Sequence, residues 1–556
     1  MKIAFDAGND VNLVDSRGYT AMHGSAMRGV NSIVQFLYDK GAHAPVDGPG
    51  ERGFCKIDEN PSRALHAARD TMTKVTIRAL VAVLGIGFFS VRGGAAQTLQ
   101  PAGWDRELAL PEAPDRSPDP RIVEIDLEAR QASVTIGSQK VDAWTYNGGL
   151  PGPLIRGRVG DRLIVHFSNR LPQPTTVHWH GVRVPIEMDG VPGYSQPEVQ
   201  PGGSFTYDFV LRDAGLYWYH PHVMSAAQVG FGLYGALLVD DPGEAVDVSD
   251  ELVLVLSDIA FDARGVLDSP DSGGSVGMVF GREGNHLLVN GRERPTLHVR
   301  NGVPQRWRIV NAAKSRHFRL DLAGLTFTKI GGDGGLQEYP EPFDQLILAA
   351  GERADVIVTP RPQADAPLVL LNIPYNRGYG SVEYRDIGEV LAIDFTDEPA
   401  YAGPPPARIT RVIDPIPQTN VTDVSIAFTL AQRSDGTYEY GIDDAPFARG
   451  RAMRAALGET QIWTVTNKTK WSHPFHLHGF FFQVLDERGQ PVRPLAWKDT
   501  VNVPLERTVK LIVRFDERPG RWMFHCHILD HADGGLMGSV LVGPAEDTGA
   551  GEHRHP

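Results

Sequence analysis

Residues 160–169 read GDRLIVHFSN, which is a turn glycine, a strand of alternating apolar residues and a closing asparagine. The same layout returns as GVPQRWRIVN at residues 302–311 and as GETQIWTVTN at residues 458–467. In each copy the Asn stands nine residues after the Gly, and successive copies are separated by 142 and 156 residues. A repeat with this period predicts three similar domains.

The sequence around the three copies is typical of β-structure. From Gln97 onward it is rich in Gly, Pro, Val and Thr, with short alternating runs such as SFTYDF at residues 204–209. Turn residues separate these runs, and long helical periodicity is scarce, so the pattern predicts β-sandwiches. We place the three sandwiches at residues 97–243, 244–405 and 406–545, followed by a polar tail at residues 546–556.

Composition narrows the class of protein. The 556 residues are 42% hydrophobic and 22% charged, which fits a soluble globular protein with no stable membrane span. A net charge of −14 argues against a nucleic-acid surface or a protein that binds anionic lipid. The two cysteines, Cys55 and Cys526, are too few for a disulfide scaffold and exclude zinc sites built on cysteine pairs.

The N-terminal 71 residues have a different character. The stretch DVNLVDSRGYTAMHGSAMRGVNSIVQFLYDKGA at residues 10–42 resembles one ankyrin repeat. Such repeats bury their apolar faces by stacking, so at least about three are normally needed, and the sequence contains one. A partner-binding module is one interpretation; we favour a remnant or a gene-fusion artefact, so that residues 1–71 need not belong to the native protein.

A second N-terminal stretch resembles a secretory signal. Residues 72–96 combine the basic start MTKVTIR, the apolar run ALVAVLGIGFFSV and small residues before Gln97. This order is that of a signal peptide, and the apolar run is too short to span a bilayer comfortably. We expect translation to begin near Met72, the mature protein to begin near Gln97, and the protein to be periplasmic or secreted.

Ten of the nineteen histidines fall into four short clusters in the first and third domains. HWHG at residues 178–181 matches HLHG at 476–479, and GLYWYHPH at 215–222 matches GRWMFHCH at 520–527. Residues i and i+2 of a strand share a face, so each His-x-His presents two imidazoles to one side. If the first and third domains pack face to face, eight imidazoles converge and can saturate three metal ions, two on one ion and three on each of the others.

The alternative is that histidines recur merely because the domains were duplicated. Four matched pairs make this the weaker interpretation. His166, His286, His298 and His317 lie outside the clusters and suit an ordinary structural role, while His553 and His555 belong to the tail.

Cys526 lies between His525 and His527, so its side chain points to the opposite face of the strand. There it can meet His473 and His531, the two clustered histidines left over from the pairs. One thiolate and two imidazoles form the ligand set of a blue-copper site. Zinc can use the same ligands, but it is redox-inert and would make no use of a link between this site and the neighbouring histidines. An electron leaving such a copper has a short covalent route through Cys526 to the histidines on either side.

Together, HWHG, HPH, HPFHLHG and HCHILDHADGGLMG resemble the multicopper oxidase family over about residues 120–545. The resemblance implies three cupredoxin-like Greek-key β-sandwich domains and four copper ions. By this resemblance His473, Cys526 and His531 hold the type 1 copper, and His178 and His476 hold the type 2 copper. The six ligands of the type 3 copper pair would be His180, His220, His222, His478, His525 and His527. The second domain would carry no copper ligands.

Three further positions follow from the resemblance. The axial position of the type 1 site, ten residues after Cys526, is Leu536, and the alternative is a one-residue slip that brings Met537 to the copper. Asp189 matches the family's carboxylate near the type 2 copper and is the expected proton donor; otherwise it is a turn residue. Ala532 stands where several bacterial relatives have a Glu that helps proton delivery, and Asp533 follows it.

The resemblance also implies the reaction. Electrons from a reducing substrate would enter at the exposed edge of His531 or His473, and the catalytic residues Asp189, Cys526, His525 and His527 would serve the four-electron reduction of O2 to water. Cuprous-ion oxidases of the family often carry Met-rich inserts, whereas the 10 Met here are scattered. We therefore expect small aromatic donors, phenols or aromatic amines, as in a laccase. The alternatives are a cuprous-ion metallo-oxidase, a bilirubin-oxidase-like enzyme, or a non-enzymatic copper-binding protein of the cell envelope.

Overall fold

The computed structural model describes residues 98–544, apart from residues 245, 247, 263, 270, 271, 273, 364–366, 379–386, 405, 407 and 408. The ankyrin-like stretch, the signal-like stretch, Cys55 and the polar tail lie outside the described residues. Within the described part no helix has the length and apolar character needed to cross a membrane.

The first sandwich consists of eight strands. They are β1 (Ile122–Ile136), β2 (Gln139–Tyr146), β3 (Ile155–Arg158), β4 (Arg162–Asn169), β5 (His178–His180), β6 (Ser204–Val210), β7 (Gly215–His220) and β8 (Gly235–Asp240). They form two sheets, with the orders β2-β1-β4-β6 and β3-β8-β7-β5. Both sheets contribute apolar side chains to one buried core, which includes Trp179.

The second sandwich is larger. Its strands are β9 (Glu251–Ile259), β10 (His286–Val289), β11 (Thr296–Val299), β12 (Gln305–Asn311), β13 (Phe318–Asp321), β14 (Phe327–Gly332), β15 (Gly335–Phe343), β16 (Gln345–Leu348), β17 (Arg353–Val358), β18 (Leu368–Asn372) and β19 (Gly388–Phe395). The sheet orders are β10-β9-β12-β17-β14-β15 and β11-β19-β18-β13-β16. Trp307 lies in the core between them.

The third sandwich repeats this plan. Its strands are β20 (Thr422–Gln432), β21 (Tyr438–Ile442), β22 (Met453–Ala455), β23 (Thr460–Asn467), β24 (His473–Leu477), β25 (Phe482–Leu485), β26 (Thr500–Val503), β27 (Thr508–Arg514), β28 (Gly520–Cys526) and β29 (Met537–Val542). The sheet orders are β21-β20-β23-β27-β25 and β22-β29-β28-β24-β26, and Trp463 lies in the core. The described part therefore confirms the predicted all-β fold of three sandwiches.

Helices are few and short in the described part. They are α1 (Ser225–Gly230), α2 (Gly274–Phe280) and α3 (Leu529–Asp533), with 3-10 turns at Ile186–Met188 and Phe447–Arg449. All three α-helices lie in connections between strands, where they contribute to the surroundings of the histidine clusters.

The repeated sequence occupies the same place in each sandwich. β4, β12 and β23 each run parallel to the first strand of their sandwich. The closing Asn anchors the loop that follows: Asn311 donates to the carbonyls of Arg316 and Leu348 and accepts from the Ala313 amide, at 2.8, 3.0 and 3.0 Å. The other two copies make corresponding bonds, through Asn169 and Asn467. The repeat therefore ends a central strand in the same way in each of the three sandwiches.

Candidate metal centre

Strand pairing sets the His-x-His pairs side by side. β5 lies antiparallel to β7, with His178 opposite His220, and β24 lies antiparallel to β28, with His476 opposite His525. Because alternate residues of a strand point to the same face, each pairing produces a patch of imidazoles on one side of its sheet.

The two patches meet between the first and third sandwiches. The ring of His178 stacks on that of His478 with centroids 3.9 Å apart, and the ring of His180 stacks on that of His476 at 3.8 Å. Each contact joins a residue of the first sandwich to one of the third. All eight paired histidines therefore line one interdomain site, hereafter the histidine cluster.

Ring nitrogens in the cluster gather into three groups whose ligand atoms lie within 4.8 Å of one another. The groups are His178–His180–His476, His180–His220–His527 and His222–His478–His525. Nε2 of His478 is 3.1 Å from Nε2 of His525, and Nε2 of His527 is 3.1 Å from Nδ1 of His180. Nitrogens at this separation can share a single metal ion as ligands.

The protonation state of the cluster suits metal ions. Burial lowers the pKa of seven of the eight imidazoles, those of His180, His220, His222, His476, His478, His525 and His527. Neutral imidazole is the form that binds metals. Within the described part the buried Nε2 atoms of His178, His220, His222 and His476 have no hydrogen-bond partner. A buried polar atom without a hydrogen-bond partner lowers the stability of the fold. Metal ions would bind the lone pairs of these nitrogens, so the histidines fit bound metal ions.

Asp189 orients two of the rings. Its backbone carbonyl accepts a hydrogen bond from Nδ1 of His178 at 2.7 Å, and its carboxylate accepts one from Nδ1 of His478 at 2.8 Å. Burial alone would raise the pKa of Asp189, but the facing rings of His478 and His178 hold it below its usual value. Since Nδ1 donates to Asp189, Nε2 is left for a ligand; such outer hydrogen bonds fix the tautomer of ligating histidines.

Asp499 plays the corresponding part on the other side, and sequence reasoning missed it. Its backbone carbonyl accepts from Nδ1 of His476 at 3.0 Å, and its carboxylate lies 3.3 Å from Nε2 of His180. Nη1 of Arg353 donates to the same carboxylate at 2.7 Å. The only signal in the sequence is an isolated Lys-Asp pair before β26, which belongs to no recognisable motif.

Cys526 forms a second site on the opposite face of β28. Its Sγ is 3.4 Å from Nδ1 of His473 and 3.7 Å from Nδ1 of His531, and the two nitrogens are 3.0 Å apart. Burial raises the pKa of the Cys526 thiol, so a thiolate here needs a nearby cation. Burial also lowers the pKa of both histidines, leaving them neutral. This thiol and these two imidazoles, hereafter the cysteine site, fit a bound soft or borderline metal ion.

Leu536 and Met537 lie on different sides of the chain where β29 begins. Leu536 is fully buried in the same apolar core as Cys526. Met537 packs instead in a separate small cluster with Val191, Phe447 and Met523. Leu536 is therefore the apolar neighbour on the Cys526 side.

The outer edges of the imidazoles in the cysteine site are not exposed, contrary to the expectation for His531 and His473. Both side chains have 0% exposure. Nε2 of His531 donates to the carbonyl of Val279 in α2 at 3.1 Å, and Nε2 of His473 lies 2.6 Å from Oγ1 of Thr469. The reason is α2: a helix of the second sandwich covers this edge, although that sandwich contributes no residue to the histidine groups.

Ala532 and Asp533 lie on α3, next to the cysteine site. Ala532 is buried in the small apolar cluster of Met537. The Asp533 carboxylate accepts a hydrogen bond from the Ala226 amide of α1 at 2.9 Å and lines a small cavity that His222 also lines. Burial raises the pKa of Asp533 to about 7. Asp533 therefore lies near His222 of the histidine cluster, whereas Ala532 has no acidic group.

The remaining described histidines have ordinary partners. His166 contacts Glu124, His286 contacts Glu293, and His298 lies 3.8 Å from Asp394. His317 stacks on Tyr375 with ring centroids 5.4 Å apart. None of the four takes part in a metal-like group within the described part.

Comparison with known proteins identifies the family. Three family models, each described as multicopper oxidase, match residues 128–244, 250–369 and 419–546. The multicopper oxidase MmcO of Mycobacterium tuberculosis is 30% identical over 453 residues, covering 75% of this chain and 86% of the relative. The chain belongs to the multicopper oxidase family. It is accordingly a copper-dependent oxidoreductase that transfers electrons from reducing donors to O2.

Other relatives of this multicopper oxidase differ in the donors that their names suggest. A laccase of Bacillus subtilis is 27% identical over 467 residues, covering 71% of this chain and 89% of that one. A solved multicopper oxidase of Campylobacter jejuni, described as a metallo-oxidase, has a TM-score of 0.70 and 28% identity, covering 78% of this chain and 94% of that one. Both types of oxidase are thus similar to this chain over most of their length.

Proposed function

We propose that this multicopper oxidase is a laccase-type enzyme that takes electrons singly from phenols or aromatic amines and passes four of them to O2, giving water. The observation that carries the proposal is the pairing of the cysteine site with the histidine cluster through one strand, β28. A relative named laccase supports this donor class. Helix α2, which covers the cysteine site, also supports aromatic donors. It contains one Met, Met278, whereas a cuprous-ion site would favour several thioethers.

We further propose how the copper ions are held. His473, Cys526 and His531 would bind the type 1 copper, and His178 and His476 the type 2 copper. The six ligands of the type 3 pair would form two triads, His180–His220–His527 and His222–His478–His525. This division is supported by the ring nitrogens, since those of each triad lie close together. Bound copper would supply one-electron redox chemistry at Cys526 and four-electron reduction of O2 at the histidine cluster, with four ions in all.

Within this proposal the chain's own residues connect the two sites. Cys526 is bonded through the backbone to His525 and His527, so the route from thiolate to cluster is covalent and short. Leu536 lies in the same buried core as Cys526 and would offer no donor atom to a copper held there, which would favour a high potential because the cupric state is less stabilised. Asp189 would supply protons to the cluster; the buried position of its carboxylate, 2.8 Å from Nδ1 of His478, supports this role.

Location and processing are proposed on the sequence alone. The order of basic, apolar and small residues at 72–96 supports export to the periplasm or the medium, with a mature chain from about Gln97. The bounds of the sandwich strands support the domain limits 97–243, 244–405 and 406–545.

Oxygen uptake by copper-loaded protein tests the donor class. Uptake with 2,6-dimethoxyphenol is compared with uptake with Cu(I), and metal analysis counts the coppers. We expect rapid uptake with the phenol, a blue absorption band and four coppers per chain. Uptake with Cu(I) alone would replace the laccase proposal by a metallo-oxidase, and the lack of a blue band would contradict the copper assignment at the cysteine site.

A further inference from the structure

A small cavity borders the histidine cluster between the first and third sandwiches. Its volume is about 50 Å³, and both His222 and the exposed residue Glu198 line it. A single water molecule needs about 10–15 Å³ of such space, so a small ion with bound water fits. Sites for small organic molecules normally measure at least about 300 Å³. The cavity is therefore of the size for an ion and too small for an aromatic donor.

Three methionines line this cavity, namely Met224, Met523 and Met537, hereafter the methionine set. The sequence has 10 Met, and six of them fall within the described residues. Half of the described methionines therefore meet at one cavity, although they are far apart along the chain. The fold thus gathers side chains that look scattered in the sequence.

The strands place each member of the methionine set beside a histidine of the cluster. Met523 stands two residues before His525 in β28, so the two side chains share a face of the strand. Met537 lies directly opposite His525 on β29, and directly paired residues also share a face. Met224 follows His222 by two residues. His222 and His525 belong to the same group of ring nitrogens, so the methionine set adjoins that group.

The methionine set extends from the surface inwards. Met224 is half-buried, whereas Met523 and Met537 have 1% and 8% exposure. Met224 also has a φ of 44° and a ψ of 53°, left-handed values that residues other than glycine rarely adopt. Unfavourable backbone conformations of this kind cluster at functional sites. A glycine would relieve the strain, so the Met224 side chain is present at a cost in stability.

The chemistry of the methionine set selects one kind of ion. Methionine often fills gaps in apolar cores, and Met523 and Met537 do pack with Val191 and Phe447. Gap filling accounts neither for a cavity left open between the methionines nor for the strained backbone of Met224. Thioethers are soft ligands, and soft ligands favour Cu(I) over hard ions such as Mg²⁺ and Ca²⁺.

We propose that the methionine set is an uptake site through which cuprous ions reach the histidine cluster when the protein acquires its copper. The inference rests on the proposed copper ligands, but not on the class of electron donor. The carboxylate of Glu198 near the surface attracts a cation. The ion exchanges bound water for thioethers and then passes to Nε2 of His222, a buried nitrogen with no hydrogen-bond partner in the described part. Ligand exchange changes no oxidation state, so the step needs no oxidant or reductant.

The position of the methionine set also predicts which copper site it serves. Met523 shares the face of β28 that carries His525, whereas Cys526 points to the opposite face. An ion on the methionine set therefore lies on the side of the histidine cluster. We expect the cysteine site to acquire its copper independently of these residues.

The test measures copper uptake, so its readout does not depend on turnover. Full-length protein freed of copper is mixed without O2 with Cu(I), supplied as its acetonitrile complex, and samples are stopped with a chelator at set times. Metal analysis measures all bound copper. The blue absorbance after addition of ferricyanide measures the copper of the cysteine site. The difference between the two gives the copper in the histidine cluster.

The main variant is the double substitution Met224→Leu and Met523→Leu, because leucine nearly keeps the volume of methionine. We expect Cu(I) uptake by the cluster to slow roughly ten-fold, comparable with the effect of removing partners of metal ligands. Uptake of Cu(II), a harder ion, and loading of the cysteine site should stay at wild-type rates. The matched control is Met453→Leu, since Met453 packs against the core of the third sandwich and does not line the cavity.

Equal rates of Cu(I) uptake by the cluster in wild type and in the double variant would overturn the inference. Equal slowing with Cu(I) and Cu(II), or at both copper sites, would also overturn it, because a general change in packing would then explain the result. Failure of wild type to bind copper at the histidine cluster would instead contradict the proposed ligands. The two failures are therefore distinguishable.

Discussion

Arg353 and Asp499 form a buried ion pair behind the histidine cluster, with Nη1 of Arg353 donating to the carboxylate at 2.7 Å and side-chain exposures of 0% and 1%. Arg353 belongs to the second sandwich and Asp499 to the third, and Nε of Arg353 also donates to the Leu216 carbonyl of the first at 3.1 Å. One guanidinium therefore joins all three sandwiches at the position where two metal-facing rings are oriented.

Replacing Arg353 by Met should destabilise the protein strongly. The substitution leaves the Asp499 carboxylate buried without its charge partner, which typically costs about 3–5 kcal/mol. Urea unfolding of the two proteins measures the difference in the free energy of unfolding. The control is Arg162→Met, which removes a solvent-exposed pair with Asp208 and should change this free energy little. Equal effects of the two substitutions would show that burial does not govern the strength of this pair.

Asp499 itself should control how tightly the cluster holds copper. Asp499→Ala removes the carboxylate beside His180, and loss of an outer partner of ligating histidines typically lowers metal affinity roughly 10–100-fold. Competition with a chelator, followed by metal analysis, measures the change. Asp126→Asn, an exposed carboxylate of β1 that pairs with Arg116, is the control. Retention of wild-type copper affinity in Asp499→Ala would contradict the assignment of Asp499 as a positioning residue.

Asp189→Asn should separate proton supply from electron supply. The amide keeps the size of the carboxylate but cannot release a proton, so reoxidation by O2 should slow by roughly 10²–10⁴-fold. Bleaching of the blue band by the phenol without O2 should keep its wild-type rate, because the cysteine site is untouched. Stopped-flow absorbance follows both reactions. Glu187→Gln, a neighbour in the same turn, should behave as wild type. A variant slowed equally in both reactions would contradict a specific role in protonation.

The parts of the site that sequence reasoning found share one property: their geometry is fixed by spacing within a strand. Alternation at the end of β28, continued by one residue, places His525 and His527 on one face and Cys526 on the other. The internal repeat then predicts which domains carry matching faces. Asn467 and its two counterparts were visible for the same reason, since an asparagine that ends a strand recurs at a fixed distance from a turn glycine.

What the sequence could not predict comes from packing between domains. Asp499 pairs with the guanidinium of Arg353, which belongs to another sandwich, and no local sequence pattern predicts that pairing. Covering of His531 by Val279 depends on a carbonyl, which every residue possesses, so nothing in the sequence marks it. The second sandwich was expected to carry no copper ligands, which left its part in the site unpredicted. It contributes Arg353, which pairs with Asp499 beside the histidine cluster, and α2, which covers His531 of the cysteine site.

Leu536→Met should lower the reduction potential of the blue centre. Leu536 shares the buried core of Cys526, so a Met side chain at this position would bring a thioether to the cysteine site, and an axial donor stabilises the cupric state. Redox titration of the blue absorbance measures the potential. Met537→Leu is the matched control, because Met537 packs in the separate cluster with Met523, and its removal should leave the potential unchanged. If instead Met537→Leu raised the potential and Leu536→Met had no effect, the chain would be shifted by one residue at the copper and Met537 would be the axial ligand.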